Sequence, residues 1–332
     1  MKMRKLGSSN IDASVVAFGS WAVGGWMWGG TNETDSIHAV HAALDSGINL
    51  IDTAPIYGFG LSESLIGKAL KGRRDKAVIA TKCGMVANTR KGEFKFNSTA
   101  SGADENGHIG IYIHLAPESI EREVEMSLRR LGTDYIDLYQ THWQEEATPR
   151  EETMAMLLRL KEQGKIRAVG VSNADISQMR EYFSLASIDT DQEKYSMLDR
   201  ELENEQLPFC RENNISVLAY SPLAQGLLTG KMTPDREFAK GDVRRGSPRF
   251  SVENRKRVNT MLNSFQSLAE EKQATLAQLA IAWTFHQPGL THVLCGARNP
   301  DQARENAGAG DIRLEPDDVR QMTNAINDLK RS

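Results

Sequence analysis

The chain has 332 residues, of which 40% are hydrophobic, and its formal net charge is -4. This length is sufficient for a barrel-sized core, whereas the slightly negative charge and the lack of a basic run longer than three residues exclude a nucleic-acid partner. The polar start MKMRKLGSSN lacks the apolar segment of a secretory signal, and the scattered Cys83, Cys210 and Cys295 suit a reducing compartment, so we expect a cytoplasmic protein.

Two long stretches without charged residues are tested as membrane spans. Residues 13–32 are too rich in glycine, and residues 273–297 are interrupted by Pro288-Gly289 and diluted by glutamines and histidines. Neither stretch predicts a membrane helix, and we expect no membrane partner.

Short apolar runs alternate with helical patterns along the chain. We predict strands at 15–19, 49–52, 77–82, 136–142, 167–173, 187–192, 216–220 and 292–296. The predicted helices are 35–46, 62–70, 117–131, 150–162, 175–183, 202–213, 275–286 and 300–308. Eight alternations indicate a single α/β domain over 1–332, a closed (β/α)₈ TIM barrel, and residues 4–13 resemble an N-terminal β-hairpin placed before it.

Two segments that follow strands are longer than a barrel requires. Residues 84–114 and 229–252 are rich in glycine and polar residues, and we predict them to be mobile loops. Both follow the C-terminal ends of strands, so they would overhang the face where barrels build their active sites.

The stretch INLIDTAPIYG, residues 48–58, ends an apolar strand in Asp52 and presents Tyr57 in the next turn. Lys82 and His142 end two other strands, and the C-terminal ends of barrel strands converge on one mouth. A structural ion pair between Asp52 and Lys82 is one interpretation, because each charge is costly to bury alone. The other is that Lys82 lowers the pKa of Tyr57 from about 10 toward neutrality for proton transfer. A neutral His142 would then orient the substrate oxygen.

Several longer motifs carry a specific resemblance. The runs LIDTAPIYG, ATKCG, DLYQTHW, KIRAVGVSN, LAYSPLAQGLLTGK and GARNPDQARENAG resemble, in this order, the signatures of the aldo-keto reductase superfamily. The opening GSWAVGG…MWGG is similar to bacterial reductases of the inositol-utilisation and general-stress type. The resemblance implies hydride transfer from NADPH to a small aldehyde or ketone. Tyr57 would be the proton donor, and Asp52, Tyr57, Lys82 and His142 would be the catalytic residues.

The resemblance also implies the cofactor-binding residues. Ser172, Asn173 and Gln192 would hold the carboxamide, Tyr220 would stack on the nicotinamide ring, and residues 221–231 would enclose the pyrophosphate. An arginine beside the helix start of 300–308 favours NADPH, whereas Gly296 and Gln302 replace basic residues of many relatives, so NADH is also possible. The full set is Gly19, Ser20, Trp21, Ser172, Asn173, Gln192, Tyr220, Ser221, Pro222, Leu223, Gly226, Lys231, Gly296, Arg298, Gln302 and Asn306.

Large aromatic residues follow several predicted strand ends. We predict that Trp21, Trp26, Trp28 and Trp143 form the wall of a substrate pocket rather than core. No metal site is expected, since the histidines at 38 and 41 have no third ligand nearby. Two other functions stay open: an accessory barrel subunit that binds the cofactor with little turnover, and a lyase or isomerase that uses Lys82 as a Schiff-base amine.

Overall fold

The eight predicted apolar runs form a closed parallel barrel in the computed structural model, which describes residues 1–87, 89–98 and 108–331. In chain order the strands of this described part are β1 Met3–Lys5, β2 Asp12–Ser14, β3 Val16–Gly19, β4 Leu50–Asp52, β5 Val78–Cys83, β6 Met85–Ala87, β7 Glu93–Ser98, β8 Ile109–Ile113, β9 Ile136–Thr141, β10 Ile166–Ser172, β11 Thr190–Lys194, β12 Ser216–Tyr220 and β13 Leu290–Gly296. The barrel order is β3-β4-β5-β9-β10-β11-β12-β13, and β13 pairs again with β3. The predicted TIM barrel is confirmed.

Helices follow most barrel strands and cover the outside of the barrel. Their bounds are α1 Glu33–Asp45, α2 Leu61–Ala69, α3 Pro117–Leu131, α4 Arg150–Glu162, α5 Ile176–Leu185, α6 Gln206–Glu212, α7 Val252–Asn263, α8 Gln266–Glu271, α9 Leu276–Phe285, α10 Pro300–Gly308 and α11 Pro316–Arg331. The predicted helix 202–213 is shorter than expected, because a 3₁₀ turn, Glu201–Glu203, precedes α6. The helices α7, α8 and α11 have no counterpart in the prediction. None of the helices in the described ranges has both the length and the apolar character needed to cross a bilayer.

Apolar side chains fill the N-terminal end of the barrel interior. The predicted hairpin forms as β1 and β2, which pair antiparallel, and Leu6 in its turn is fully buried. Leu6 packs with Leu50, Leu138 and Leu218 of the barrel strands in one apolar cluster. Because this cluster closes the N-terminal end, the space for a ligand lies at the C-terminal ends of the strands.

Residues 84–114 differ from the prediction of a mobile loop. Strands β6, β8 and β7 form a three-stranded antiparallel sheet, so the prediction is wrong for these strands; the rest of the segment, residues 88 and 99–107, lies outside the described residues. Ile109, Ile111 and Ile113 alternate along β8 and are buried, which is the period of a half-buried strand. Their side chains pack in one cluster with Ile56 and Trp26, and we call this sheet the lid sheet.

Residues 229–252 form an irregular segment, with one 3₁₀ turn at Pro248–Phe250. This segment meets the loop that follows β3: Val243 N–H donates to Met27 O at 3.1 Å, and Trp28 forms an isolated antiparallel bridge with Asp242. We call the two joined loops the strap. It lies at the C-terminal ends of the barrel strands, and its Trp26 packs against the lid sheet.

Candidate active site

A cavity of about 600 Å³ opens between the strand ends, the lid sheet and the strap. Nearly all of the predicted site residues line it, from Gly19 at one strand end to Asn306 on α10. Two predicted residues do not. Ser20 is fully buried with its Oγ 2.7 Å from Ser62 Oγ, and Lys82 lies behind the wall, where it reaches the cavity through Tyr57. Ser20 is therefore placed to support the floor of the site from below.

Lys82 makes four close polar contacts. Its Nζ donates to Asp52 Oδ1 at 2.7 Å and Oδ2 at 2.9 Å, to Thr53 O at 2.9 Å and to Tyr57 OH at 3.3 Å. The neighbouring strands β4 and β5 place Asp52 and Lys82 at the same rim, which is why the two charges meet. Lys82 is 0% exposed, and this enclosure leaves no path for a substrate carbonyl to its amine, which disfavours the Schiff-base mechanism.

The electrostatics of Tyr57 differ from expectation. The sequence predicts that Lys82 lowers the pKa of Tyr57, whereas burial, and then the charge of Asp52, raise this pKa well above its usual value. The prediction is wrong because desolvation of the phenol, with the negative charge of Asp52 added to it, outweighs the effect of the Lys82 ammonium. Tyr57 is therefore protonated at neutral pH, which suits a proton donor and not a base.

His142 stands beside the phenol. Its ring centroid is 5.7 Å from that of Tyr57, at an interplanar angle of 80°. Burial, and secondarily the charge of Lys82, hold the pKa of His142 well below its usual value. The imidazole is therefore neutral near pH 7 and can hydrogen-bond an oxygen without bringing a second positive charge.

The predicted carboxamide-binding residues are connected to this catalytic group. Gln192 Nε2 donates to Asp52 Oδ1 at 2.8 Å. Asn173, which has a left-handed φ of 54°, donates from Nδ2 to His142 O at 2.8 Å and accepts from Tyr220 OH at 2.8 Å. A ligand amide that binds the Asn173 side chain can therefore replace its hydrogen bonds to His142 O and Tyr220 OH, and the barrel strands need not move.

The far end of the cavity suits a dinucleotide. Gly19 and Gly296 lie side by side on β3 and β13, so no side chains fill the floor between these strands. Lys231 and Arg298 line this end, and Asn299 caps α10 by accepting from Gln302 N at 3.0 Å. Cationic side chains at a helix start fit phosphate groups. The cavity thus has the polar end, the open floor and the amide partners that a nicotinamide dinucleotide requires.

The predicted tryptophans form the opposite wall. Trp21 meets Trp28 edge-on with centroids 5.3 Å apart, and Trp26 stacks on Phe96 at 6.2 Å. Trp26 Nε1 also donates to Ser98 Oγ at 2.8 Å, which fixes it to the lid sheet. The sequence did not indicate Phe96, because its strand β7 was interpreted as a loop. The alternation of apolar residues along the neighbouring strand β8 was the available signal for this sheet.

Arg244 of the strap is a further residue that the sequence did not indicate. Its guanidinium binds Asp242 through Nε at 2.9 Å and NH2 at 2.7 Å, donates to Gln225 O at 3.2 Å and lies 5.2 Å from the Trp28 ring. Arg244 therefore joins the strap to the loop that follows β12. The only sign of this residue in the sequence was the Arg244-Arg245 pair between two glycines of the strap.

This combination of a barrel, an enclosed ion pair, a protonated phenol and a dinucleotide-sized cavity is that of an oxidoreductase acting on carbonyl groups. The model of the Aldo/keto reductase family matches residues 15–327, and the chain belongs to this family. Accordingly, it is an NAD(P)H-dependent enzyme that reduces aldehydes or ketones to alcohols.

Relatives and solved structures match over most or all of the chain. The protein is 44% identical over 337 residues to the NADH-specific methylglyoxal reductase of Escherichia coli (strain K12), with 100% of both chains covered. It is 41% identical over 305 residues to aldo-keto reductase YhdN of Bacillus subtilis (strain 168), covering 91% of this chain and 86% of the relative. The structure of the glycerol dehydrogenase AKR11B4 from Gluconobacter oxydans matches with a TM-score of 0.85 at 37% identity, over 98% of this chain and 94% of that one. None of these supports an accessory subunit.

Proposed function

We propose that the protein reduces small aldehydes and dicarbonyls, of which methylglyoxal is the first candidate, with Tyr57 as the proton donor. The observation that carries this proposal is the phenol of Tyr57 in the cavity wall, 3.3 Å from the buried Lys82 Nζ. The substrate of the 44%-identical relative supports the dicarbonyl class. A net charge of -4 and three free, buried cysteines suit a cytoplasmic enzyme without nucleic-acid or membrane partners.

The residues divide the reaction between them. A bound reduced nicotinamide supplies the hydride to the carbonyl carbon. Neutral His142 donates a hydrogen bond to the carbonyl oxygen and orients it toward Tyr57. As negative charge develops on that oxygen, it becomes far more basic than a phenolate, so the proton of Tyr57 moves to it in spite of the raised pKa of the phenol. Lys82 then stabilises the phenolate that remains.

Both forms of the cofactor fit the adenosine end. Arg298 can form an ion pair with a 2′-phosphate, whereas Gly296 and Gln302 add no positive charge to the adenosine end. Glu305 lines this end in a 2.8 Å ion pair with Lys231, and a carboxylate suits a free ribose hydroxyl. We therefore propose that NADPH and NADH are both used.

The test is a panel assay that follows oxidation of NADPH and of NADH with methylglyoxal, other small aldehydes, sugar derivatives and aromatic ketones. Turnover of small aldehydes and dicarbonyls is expected with both cofactors. Binding of cofactor without turnover of any carbonyl would favour an accessory subunit instead. Borohydride trapping of a substrate adduct on Lys82 would favour Schiff-base chemistry.

The reduction rate is expected to change little with pH across the neutral range. Burial holds the pKa of His142 below 6.5 and that of Tyr57 above 10, so neither group changes protonation between about pH 7 and about pH 9. Alcohol oxidation needs the phenolate, which is a minor form in this range but grows about tenfold for each pH unit below the pKa, so its rate should rise with pH. The measurement is kcat/KM against pH in both directions. A fall in reduction near neutral pH that is absent in a His142→Gln variant would contradict a permanently neutral imidazole.

Removing the ring of Phe96 should weaken binding of aromatic substrates. Phe96 lines the cavity and stacks on Trp26, so Phe96→Ala is expected to raise the KM of an aromatic aldehyde about tenfold. The KM of methylglyoxal, which is too small to fill this wall, should change little. Phe94→Ala is the matched control, because Phe94 is on the same strand but 56% exposed. Equal effects of the two variants would contradict the assignment of Phe96 to the pocket.

A further inference from the structure

Two buried carboxyl groups lie behind the cavity wall. Asp191 and Glu193 flank Gln192 on β11, and successive side chains of a strand point to opposite faces. Gln192 faces the cavity, so both acids face outward, toward α6. Asp191 is 0% exposed and Glu193 is 8% exposed, and the catalytic scheme above uses neither. Burial of two adjacent acids is costly and requires an explanation.

The two acids and one glutamine form a network around the backbone of a single residue, Ala174. Glu193 Oε1 accepts from Ala174 N at 2.9 Å. On the other side, Gln206 Nε2 donates to Ala174 O at 2.9 Å, and it also donates to Asp191 Oδ2 at 2.8 Å. Both polar groups of the Ala174 backbone are therefore fixed by side chains from β11 and α6.

Ala174 follows Asn173, whose φ of 54° lies in the left-handed region. This conformation is unfavourable for a residue other than glycine and persists only where the surroundings enforce it. It directs the Asn173 amide toward His142 O and Tyr220 OH, at the cavity. The contacts to Ala174 fix the next residue of this turn, in addition to the hydrogen bond from Asn173 N to Gln192 O at 3.2 Å.

The pair has too few donors for two ionised carboxylates. Asp191 Oδ1 is fully buried and has no donor among the described residues, and Glu193, two residues further along the same strand, presents its carboxyl group on the same face as Asp191. The groups that face the pair are Gln206 and Cys210 from α6, the 173–174 turn and, from β12, Tyr220. None of these is a cation. A proton on one acid supplies the missing donor and removes the repulsion.

We propose that Asp191 and Glu193 share one proton and that this protonated pair is the positioning element that fixes Asn173 for the cofactor carboxamide. The proposal rests on the proposed assignment of Asn173 to cofactor binding. Loss of the shared proton at alkaline pH leaves two negative charges side by side, which pushes Glu193 away from Ala174 and releases the turn. Cofactor affinity then falls while the catalytic group is unchanged.

The test compares Glu193→Gln with Glu193→Ala in the full chain, and measures the Kd of NADPH by fluorescence. A glutamine reproduces the protonated acid, since its Oε1 accepts from Ala174 N and its Nε2 donates to Asp191. Glu193→Gln should therefore bind NADPH like the wild type, whereas Glu193→Ala should bind about tenfold more weakly. Between about pH 7 and about pH 10, the affinity of the wild type should fall and that of Glu193→Gln should stay constant.

The outcomes separate this proposal from the proposed function. A wild-type protein that binds neither NADPH nor NADH contradicts the proposed function. A wild type that binds NADPH, together with an equally tight Glu193→Ala variant, overturns only the role of the pair. A Glu193→Gln variant whose NADPH affinity still falls at alkaline pH also overturns the role of the pair. If Glu193→Ala does not fold, Gln206→Leu replaces it, because it removes the donor to the Ala174 carbonyl and to Asp191 and so breaks the same network from the other side. Unchanged NADPH affinity in Gln206→Leu overturns the proposal.

Discussion

The Tyr57→Phe variant is expected to lose carbonyl reduction by roughly 10³-fold, while its affinity for NADPH stays within about twofold of the wild type. The substitution removes only the hydroxyl group that faces the cavity beside His142 and Lys82, and it keeps the ring that packs beside Trp21. The proton donor is lost, whereas the residues proposed to hold the cofactor are untouched. The measurement is kcat for methylglyoxal together with the Kd of NADPH.

A matched control is available at the other end of the barrel. Tyr135 directly precedes β9, and its ring stacks on the guanidinium of Arg74 at 4.2 Å, far from the strand ends that form the site. Tyr135→Phe should keep full activity. Retained turnover in Tyr57→Phe would refute the proton-donor assignment, and equal losses in both variants would indicate general damage to the barrel.

The Lys82→Met variant is expected to lose both stability and activity. The substitution leaves the carboxylate of Asp52, which is 4% exposed, without its cation, and an unpaired buried charge costs about 3–5 kcal/mol. The remaining donor from Gln192 offsets only a part of this cost. Denaturant unfolding and the reduction rate are the two measurements. Lys68→Met is the control, because Lys68 pairs with Glu33 on the surface and should change stability by less than about 1 kcal/mol.

The double variant Lys82→Met/Asp52→Asn separates a structural ion pair from a catalytic one. A neutral asparagine no longer needs a cation, so stability should recover, whereas reduction should stay low because the phenolate of Tyr57 has no cation to stabilise it. If the double variant regained activity together with stability, the pair would be structural only.

The barrel was predictable because each β/α repeat carries its own local signal. Every residue of β5 and β9 is buried, and the apolar residues of the two sequences, VIA at the start of VIATKC and Ile, Leu and Tyr in IDLYQT, indicated both strands. The C-terminal α11 also carried a signal that the prediction missed: Val319, Met322 and Ile326 recur at helical spacing, and the last two are fully buried.

The protonation of the site was less predictable. Residue types and strand ends brought Asp52, Tyr57 and Lys82 together correctly, but the sign of the Tyr57 pKa shift depends on how deeply neighbours bury the phenol. Trp21 and His142, whose rings lie beside Tyr57, are distant in sequence and meet it only in the folded barrel. The position of Ser20 behind the floor depends in the same way on its contact with Ser62 of α2.

The backbone hydrogen bond from Val243 N to Met27 O and the hydrogen bond from Arg244 to Gln225 O close the strap, and this closure affects the rate of coenzyme exchange. We expect this closed bridge to obstruct the passage of a molecule as long as a dinucleotide, whereas a three-carbon alcohol is small enough to leave without displacing it. Exchange of spent for fresh coenzyme therefore requires the bridge to part. Turnover would then be ordered, with coenzyme first in and last out, and its exit would limit the rate once the chemistry is fast.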